Sequence, residues 1–181
     1  WDPAFTAAYF DHSGLYAFGR QPEAILWNCG QLAMALRLLI DTPPLVAALD
    51  RFGPLYMEAM TRRFTWRLGV QSQGQEADTA LIAAAERFMR DTAMSPDAFF
   101  FQYRGARTDA SGDLGEVLAH YTASGSDLHP LWQSDAPPSL VIDEVERIWS
   151  AIDVHDDWQP LADHVAAIRG RGTALSETEM P

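Results

Sequence analysis

Apolar residues recur at helical spacing along most of this chain. After Gln21-Pro22, the residues Ile25, Cys29, Leu32, Leu36 and Leu39 follow at steps of 4, 3, 4 and 3, which places them on one face of a helix whose first turn accepts a proline. Pro43 and Pro44 lack the backbone donors needed to continue, so this helix ends near Asp41. The next run, Leu45, Leu49, Phe52, Tyr56 and Met60, keeps the helical period to about Leu68. Within it the ring of Pro54 would clash with the carbonyl of Asp50, which predicts a kink or break. A further helix is predicted over 76–92, with Ala77, Leu81, Ala84, Ala85 and Phe88 inward.

Ser95-Pro96-Asp97 reads as an N-cap, a first-turn proline and a dipole-favourable acid, opening a short apolar helix that stops at Gly105. Residues 114–121 form another candidate, and 125–138 read as a loop pinned by Leu131 and Trp132. Two last helices follow from Val141, Val145, Ile148, Ile152 and from Trp158, Leu161, Val165, Ile168, the second capped by Asp157 and closed by Gly170. They pair as a hairpin, and 171–181 read as a flexible tail. Residues 1–20 sustain neither helical nor strand period and read as an ordered irregular segment rich in aromatics, some packing on the helices and some facing elsewhere. The pattern therefore predicts an all-α chain, an irregular array of about six to eight helices spanning 21–170 behind that irregular segment.

Composition narrows the chemistry. The net charge of -12, with no basic stripe, argues against nucleic acid and against an anionic membrane surface. All 13 basic residues are arginines, so neither a P-loop lysine, a kinase β3 lysine nor a Schiff-base lysine can be supplied by this sequence. Cys29 is the single cysteine, which excludes an internal disulfide or a multi-cysteine zinc site and fits a reducing compartment. The longest apolar run, near Leu36 to Ile40, is far short of the ~20 residues that span a bilayer.

A denser signal lies at the start. Asp2-Pro3-Ala4-Phe5-Thr6, then Asp11-His12-Ser13-Gly14-Leu15-Tyr16-Ala17-Phe18, then Gln21-Pro22 leading to Trp27-Asn28 and a leucine-rich helix, resemble in order and spacing the signature of the selenoprotein O (SelO) family. What the resemblance implies is a protein adenylyltransferase with a pseudokinase fold, which uses ATP and Mg to move AMP onto Ser, Thr or Tyr of protein substrates. In that family the signature follows the metal-binding Asp-Tyr-Gly-Pro segment. The chain would then be the carboxyl-terminal helical part, its catalytic base, metal ligands and phosphate-binding residues all upstream of Trp1, and none would be carried here. Its partners would be its own amino-terminal kinase-like core and the enzyme's protein substrates, in a bacterial cytoplasm. His12, Tyr16, Arg20, Gln21, Trp27 and Asn28 are the residues expected to face that core or to adjoin its cleft. Eukaryotic members often carry a redox Cys-x-x-selenocysteine near the carboxyl terminus, and the polar stretch 170–181 has no cysteine.

Two other classes compete: a stand-alone acidic helical interaction module, and a metal phosphohydrolase of the HD class. His155-Asp156 is the adjacent pair an HD site needs, with His120, His129 and Asp163 as nominal further ligands, while a turn at Asp156 and an N-cap at Asp157 account for the same residues. Asp163 and His164 are expected to face solvent. His12-Ser13 reads as a turn in which Asp11 and Ser13 bond local backbone, not as a nucleophile. Arg20 would pair with Asp11 or Glu23, or reach the core; Trp27 would bury its ring and Asn28 satisfy backbone. Arg62, Arg63, Arg104 and Arg107 read as solvated partners of nearby acids such as Glu58, Asp97 and Asp109.

Overall fold

The computed structural model describes residues 1–106, 110–125, 129–134 and 136–176. Eight α-helices occur among them: α1 Gln21–Leu36, α2 Thr42–Asp50, α3 Phe52–Leu68, α4 Gln75–Asp91, α5 Pro96–Gln102, α6 Gly112–Leu118, α7 Ile142–His155 and α8 Gln159–Ser176. The only pairing of extended backbone in that set is an isolated bridge between Val70 and Ala123. The chain is all-α. Arg107, Asp109 and the last residues of the expected tail lie outside the described residues.

Local chemistry explains most boundaries. Pro54 has no N–H to offer Asp50, so α2 and α3 separate at Arg51 although that residue keeps helical angles. Gly69, at φ 70°, ends α3 in the left-handed conformation and returns its N–H to the carbonyls of Thr65 and Trp66. Ser95 caps α5 by accepting from the Ala98 N–H at 3.3 Å.

The core sits where α3, α4, α5 and α6 meet. Phe64, Leu68, Leu81, Phe99, Leu114 and Leu118 are all buried there, with Phe88 and Trp1 packed against the same cluster. A second, smaller cluster joins Phe101, Trp132 and Ala174, so the carboxyl-terminal end of α8 closes over α5 and the 130–133 turn. Arg104 lies between the two clusters. It is fully buried, donates from Nη1 to the Arg67 carbonyl at 2.9 Å and stacks over the Trp132 ring at 4.1 Å. Asp97 joins the same region by accepting from Arg67 at 2.6 Å and from Arg171 at 2.9 Å. Burial holds the Arg67 guanidinium below its ordinary pKa despite Asp97.

Three expectations change. The last helix does not stop at Gly170: it runs to Ser176, because burying Ala174 and half-burying Leu175 outweigh the weak helix propensity of Gly170 and Gly172. Arg104 is buried and stacked on Trp132 where the sequence predicts a solvated side chain, and Asp97, one of the acids expected in this group, serves Arg67 and Arg171. His164 turns inward between α7 and α8, with Nδ1 3.2 Å from Glu144 Oε1, whereas Asp163 stays at the surface.

Candidate functional site

Residues 1–20 are ordered around one carboxylate. Asp11 accepts from the backbone N–H groups of Tyr16 at 2.7 Å and Leu15 at 3.0 Å and from the Ser13 hydroxyl at 3.2 Å. The Tyr16 N–H above all holds its carboxyl below the usual range, so Asp11 organises a turn and is a poor general base. Ser13 is thereby a turn residue, as its neighbours in sequence suggest. The segment then folds back on itself through Phe18 N–H to the Phe5 carbonyl and Gly19 N–H to the Pro3 carbonyl. A side chain at position 19 would meet the Pro3 ring at 2.8 Å, so the close crossing needs glycine. Trp1 meets Phe18 edge to face at 4.9 Å, which ties the segment to the core cluster.

Arg20, at the entrance to α1, pairs with Glu23 through Nε at 3.0 Å and Nη2 at 3.3 Å, and its Nη1 reaches the Gly14 carbonyl at 3.5 Å. The pair raises the arginine pKa and lowers that of the glutamate. Arg20, Glu23 and Trp27 follow at i, i+3 and i+7, and Gln21 and Asn28 at i and i+7, so the two rows lie side by side on α1. Gln21, Trp27 and Asn28 are all exposed there, as are His12 and Tyr16 in the preceding turn. The burial expected for Trp27 is not met: the ring is 64% exposed. Asn28 makes no side-chain hydrogen bond among the described residues.

This surface is unusually apolar. Phe5, Phe10, Tyr16, Trp27, Leu32 and Leu39 all stand open, and α1 and α2 bury no residue fully. Between α1, α2 and α3 runs a groove of about 440 Å³ lined by Cys29, Leu36, Leu49 and Phe52. Helical periodicity identifies the apolar face of α1, and cannot reveal that α2 and α3 line it only in part.

A polar node has no counterpart in the sequence reading. Asp78, 2% exposed in the first turn of α4, accepts from Ser72 Oγ at 2.5 Å, the Gln73 N–H at 3.1 Å and the Tyr121 hydroxyl at 2.9 Å. It forms the floor of a cleft of about 510 Å³ whose walls include Thr61, Arg62, Trp66, Gln75 and Ser124. Burial, and then the bond to Asp78, push the Tyr121 phenol well above its ordinary pKa. A raised native pKa means that the stabilisation is complete below the unfolded value, about pH 10, and is lost as pH climbs beyond it. Alkaline unfolding of the chain, followed by circular dichroism, is therefore expected to begin near pH 10 and to lose part of its slope in Tyr121→Phe; an identical profile would contradict the node.

The HD-type residues do not converge. His155 is exposed at the end of α7, Asp156 adopts φ 51° and accepts from Trp158 Nε1 at 2.9 Å, and Asp157 Oδ1 accepts from the Gln159 N–H at 3.0 Å. These are turn and cap roles. His129 Nδ1 accepts from the Leu131 N–H, and His120 lies at the surface. Among the described residues no group of three or more His, Cys, Asp or Glu is placed to hold a metal ion.

The family model described as Protein adenylyltransferase SelO matches residues 1–135. The chain belongs to the SelO family. Similar SelO-family relatives are named protein nucleotidyltransferase YdiU. That of Gloeobacter violaceus is 30% identical over 93% of this chain and 40% of its own length. The Trichodesmium erythraeum protein is 27% identical over 90% of this chain and 39% of its length, and that of Xanthomonas oryzae pv. oryzae 36% identical over 68% and 28%. The chain thus spans about two fifths of the first of these relatives. The SelO match covers the irregular segment and α1 to α6 and ends before α7.

Proposed function

We propose that this chain is the helical buttress of a SelO-type protein adenylyltransferase, an enzyme that transfers AMP from ATP to Ser, Thr or Tyr hydroxyls of protein substrates with Mg. The catalytic core lies in the part of the protein outside this chain. The observation that carries the reading is the open apolar surface of residues 1–20 and α1, where Phe5, Phe10, Tyr16, Trp27 and Leu32 face outward. Large apolar side chains left open in this number mark an interaction site. Its occupant is the kinase-like core of the same polypeptide, consistent with the share of the relatives' length that this chain leaves unmatched.

Nucleotidyl transfer depends mainly on positioning and on charge stabilisation, so a wall that fixes the core can govern rate without touching reacting atoms. Arg20, Gln21 and Asn28 are the polar groups on this face and would set the register of the contact, with Trp27 as its apolar anchor. A bacterial cytoplasmic location is part of this proposal and rests on the bacterial relatives; separately, no helix among the described residues is long and apolar enough to cross a membrane.

In the full-length protein, Trp27→Asp combined with Leu32→Asp is expected to lower AMP transfer to acceptor proteins by about a hundredfold, with helical content retained by circular dichroism. The isolated chain is expected neither to bind ATP-Mg in calorimetry nor to label any acceptor. Unchanged transfer with loss of partner capture would favour an acidic interaction module instead, and labelling by the isolated chain would end the buttress reading.

A further inference from the structure

The hairpin of α7 and α8 lies beyond the family match and carries its own open face. Ile142, Val145 and Trp149 recur on α7 at steps of 3 and 4, and Ile142 and Trp149 are 67% and 60% exposed. Glu146 stands three residues before Trp149 and Asp153 four after it, so both acids flank the stripe on the same side of the helix. Trp158 adds a second open ring at the hairpin turn, its Nε1 held by Asp156. Across residues 141–170 the sequence places seven acids against two arginines. One of these, Arg147, is already taken up by Glu144 through Nε at 2.8 Å and Nη2 at 2.6 Å.

The platform behind the stripe is fixed. Ile148 is buried a little over a quarter-turn round α7 from Trp149, and Glu144 reaches both Arg147 and His164 of α8, which stitches the two helices together. Arg147 above all holds the Glu144 carboxyl below its usual range, so this tie stays ionised near neutrality.

We propose that this face of α7 docks a cationic amphipathic helix from a partner protein. Three features select that occupant. A narrow apolar row at helical spacing suits the face of a second helix, and an aromatic anchor at its centre is the usual source of binding energy. The flanking carboxylates reward Lys or Arg on the incoming helix. A second copy of this chain would bring Glu146 and Asp153 against their own equivalents, and an anionic lipid surface would be repelled by the same acids. This inference is independent of adenylyl transfer.

The test titrates the full-length protein, by calorimetry, with a synthetic Leu/Lys amphipathic helix of about five turns and with its Leu/Glu counterpart. The Leu/Lys helix is expected to bind and to weaken as salt is added, while the Leu/Glu helix does not bind. Trp149→Ala should weaken binding about tenfold or more, and the double variant Glu146→Arg with Asp153→Arg should lose the Leu/Lys helix and accept the Leu/Glu helix. Unchanged melting temperatures establish that the variants fold. The proposal is overturned if both helices bind wild type equally, or if Trp149→Ala leaves Leu/Lys binding intact. It is equally overturned by a dimer in sedimentation that Trp149→Ala abolishes, since a second copy then occupies the face. A thiol introduced by Trp149→Cys that resists labelling in the folded full-length protein would mean that its own chain covers the stripe, and this too would overturn the proposal.

Discussion

Phe99→Ala is expected to destabilise the chain by about 3–5 kcal/mol, the range for deleting a buried aromatic ring that its surroundings cannot refill. Phe99 has no exposed surface, and its ring lies 5.3 Å from Tyr103, 5.4 Å from Phe100 and 6.3 Å from Phe64 between centroids. Those partners come from α3 and from both sides of the α5 terminus, so none can collapse into the space without moving a helix. Domains of ordinary size are stable by only about 5–15 kcal/mol, so this one change should remove a large share of the cooperative transition. Urea denaturation followed by tryptophan fluorescence measures it. Phe10→Ala, at a ring that is 66% exposed, is the matched control and should shift the midpoint little in the isolated chain. Equal losses at the two positions would mean that the centre of the core has been misplaced.

Asp78→Ala should come next, at about 2–4 kcal/mol. The substitution leaves the Tyr121 hydroxyl buried without its acceptor and releases Ser72 and the Gln73 N–H, which together hold the connection between α3 and α4. Ser72 and Gln73 can turn to water, so the stranded phenol dominates the loss. Asp78→Asn keeps an acceptor oxygen and should lose less. In a double-mutant cycle, removing the hydroxyl by Tyr121→Phe should make the second change at Asp78 markedly milder. Strict additivity of the two single losses would refute the bond between them.

What the sequence conveys, and what it withholds, follows from how far each signal reaches. Helical period and terminal chemistry are local, so Ser95, Pro54 and the apolar positions of α4 locate their elements well. The selenoprotein O signature likewise sits within residues 1–28, and the family follows from it. Periodicity names the face of a helix that wants cover and not what covers it; Trp27 lies off that face, its burial is expected from the size of its ring alone, and the ring is open. Glycine at 170 reads as a stop because its low propensity is a local fact, whereas Ala174 packing on Phe101 and Trp132 depends on residues tens of positions away. Asp78 is illegible for the same reason: its decisive donor is 43 residues distant, and an acid in the first turn of a helix ordinarily needs no further explanation. The helix neighbours of His164 point it to solvent, but its partner Glu144 belongs to the other arm of the hairpin.

The shared carboxylate of Asp97 gives the far end of α8 an importance that its position in the chain conceals. Arg171 and Ala174 lie past the glycine where a cautious experimentalist would trim the protein, yet one is moored to α5 and the other seals the smaller cluster. Shortening the polypeptide at Gly170 would leave Asp97 with Arg67 alone and uncover Phe101 and Trp132 to water, so the last turns of α8 work as a latch and not as an appendage.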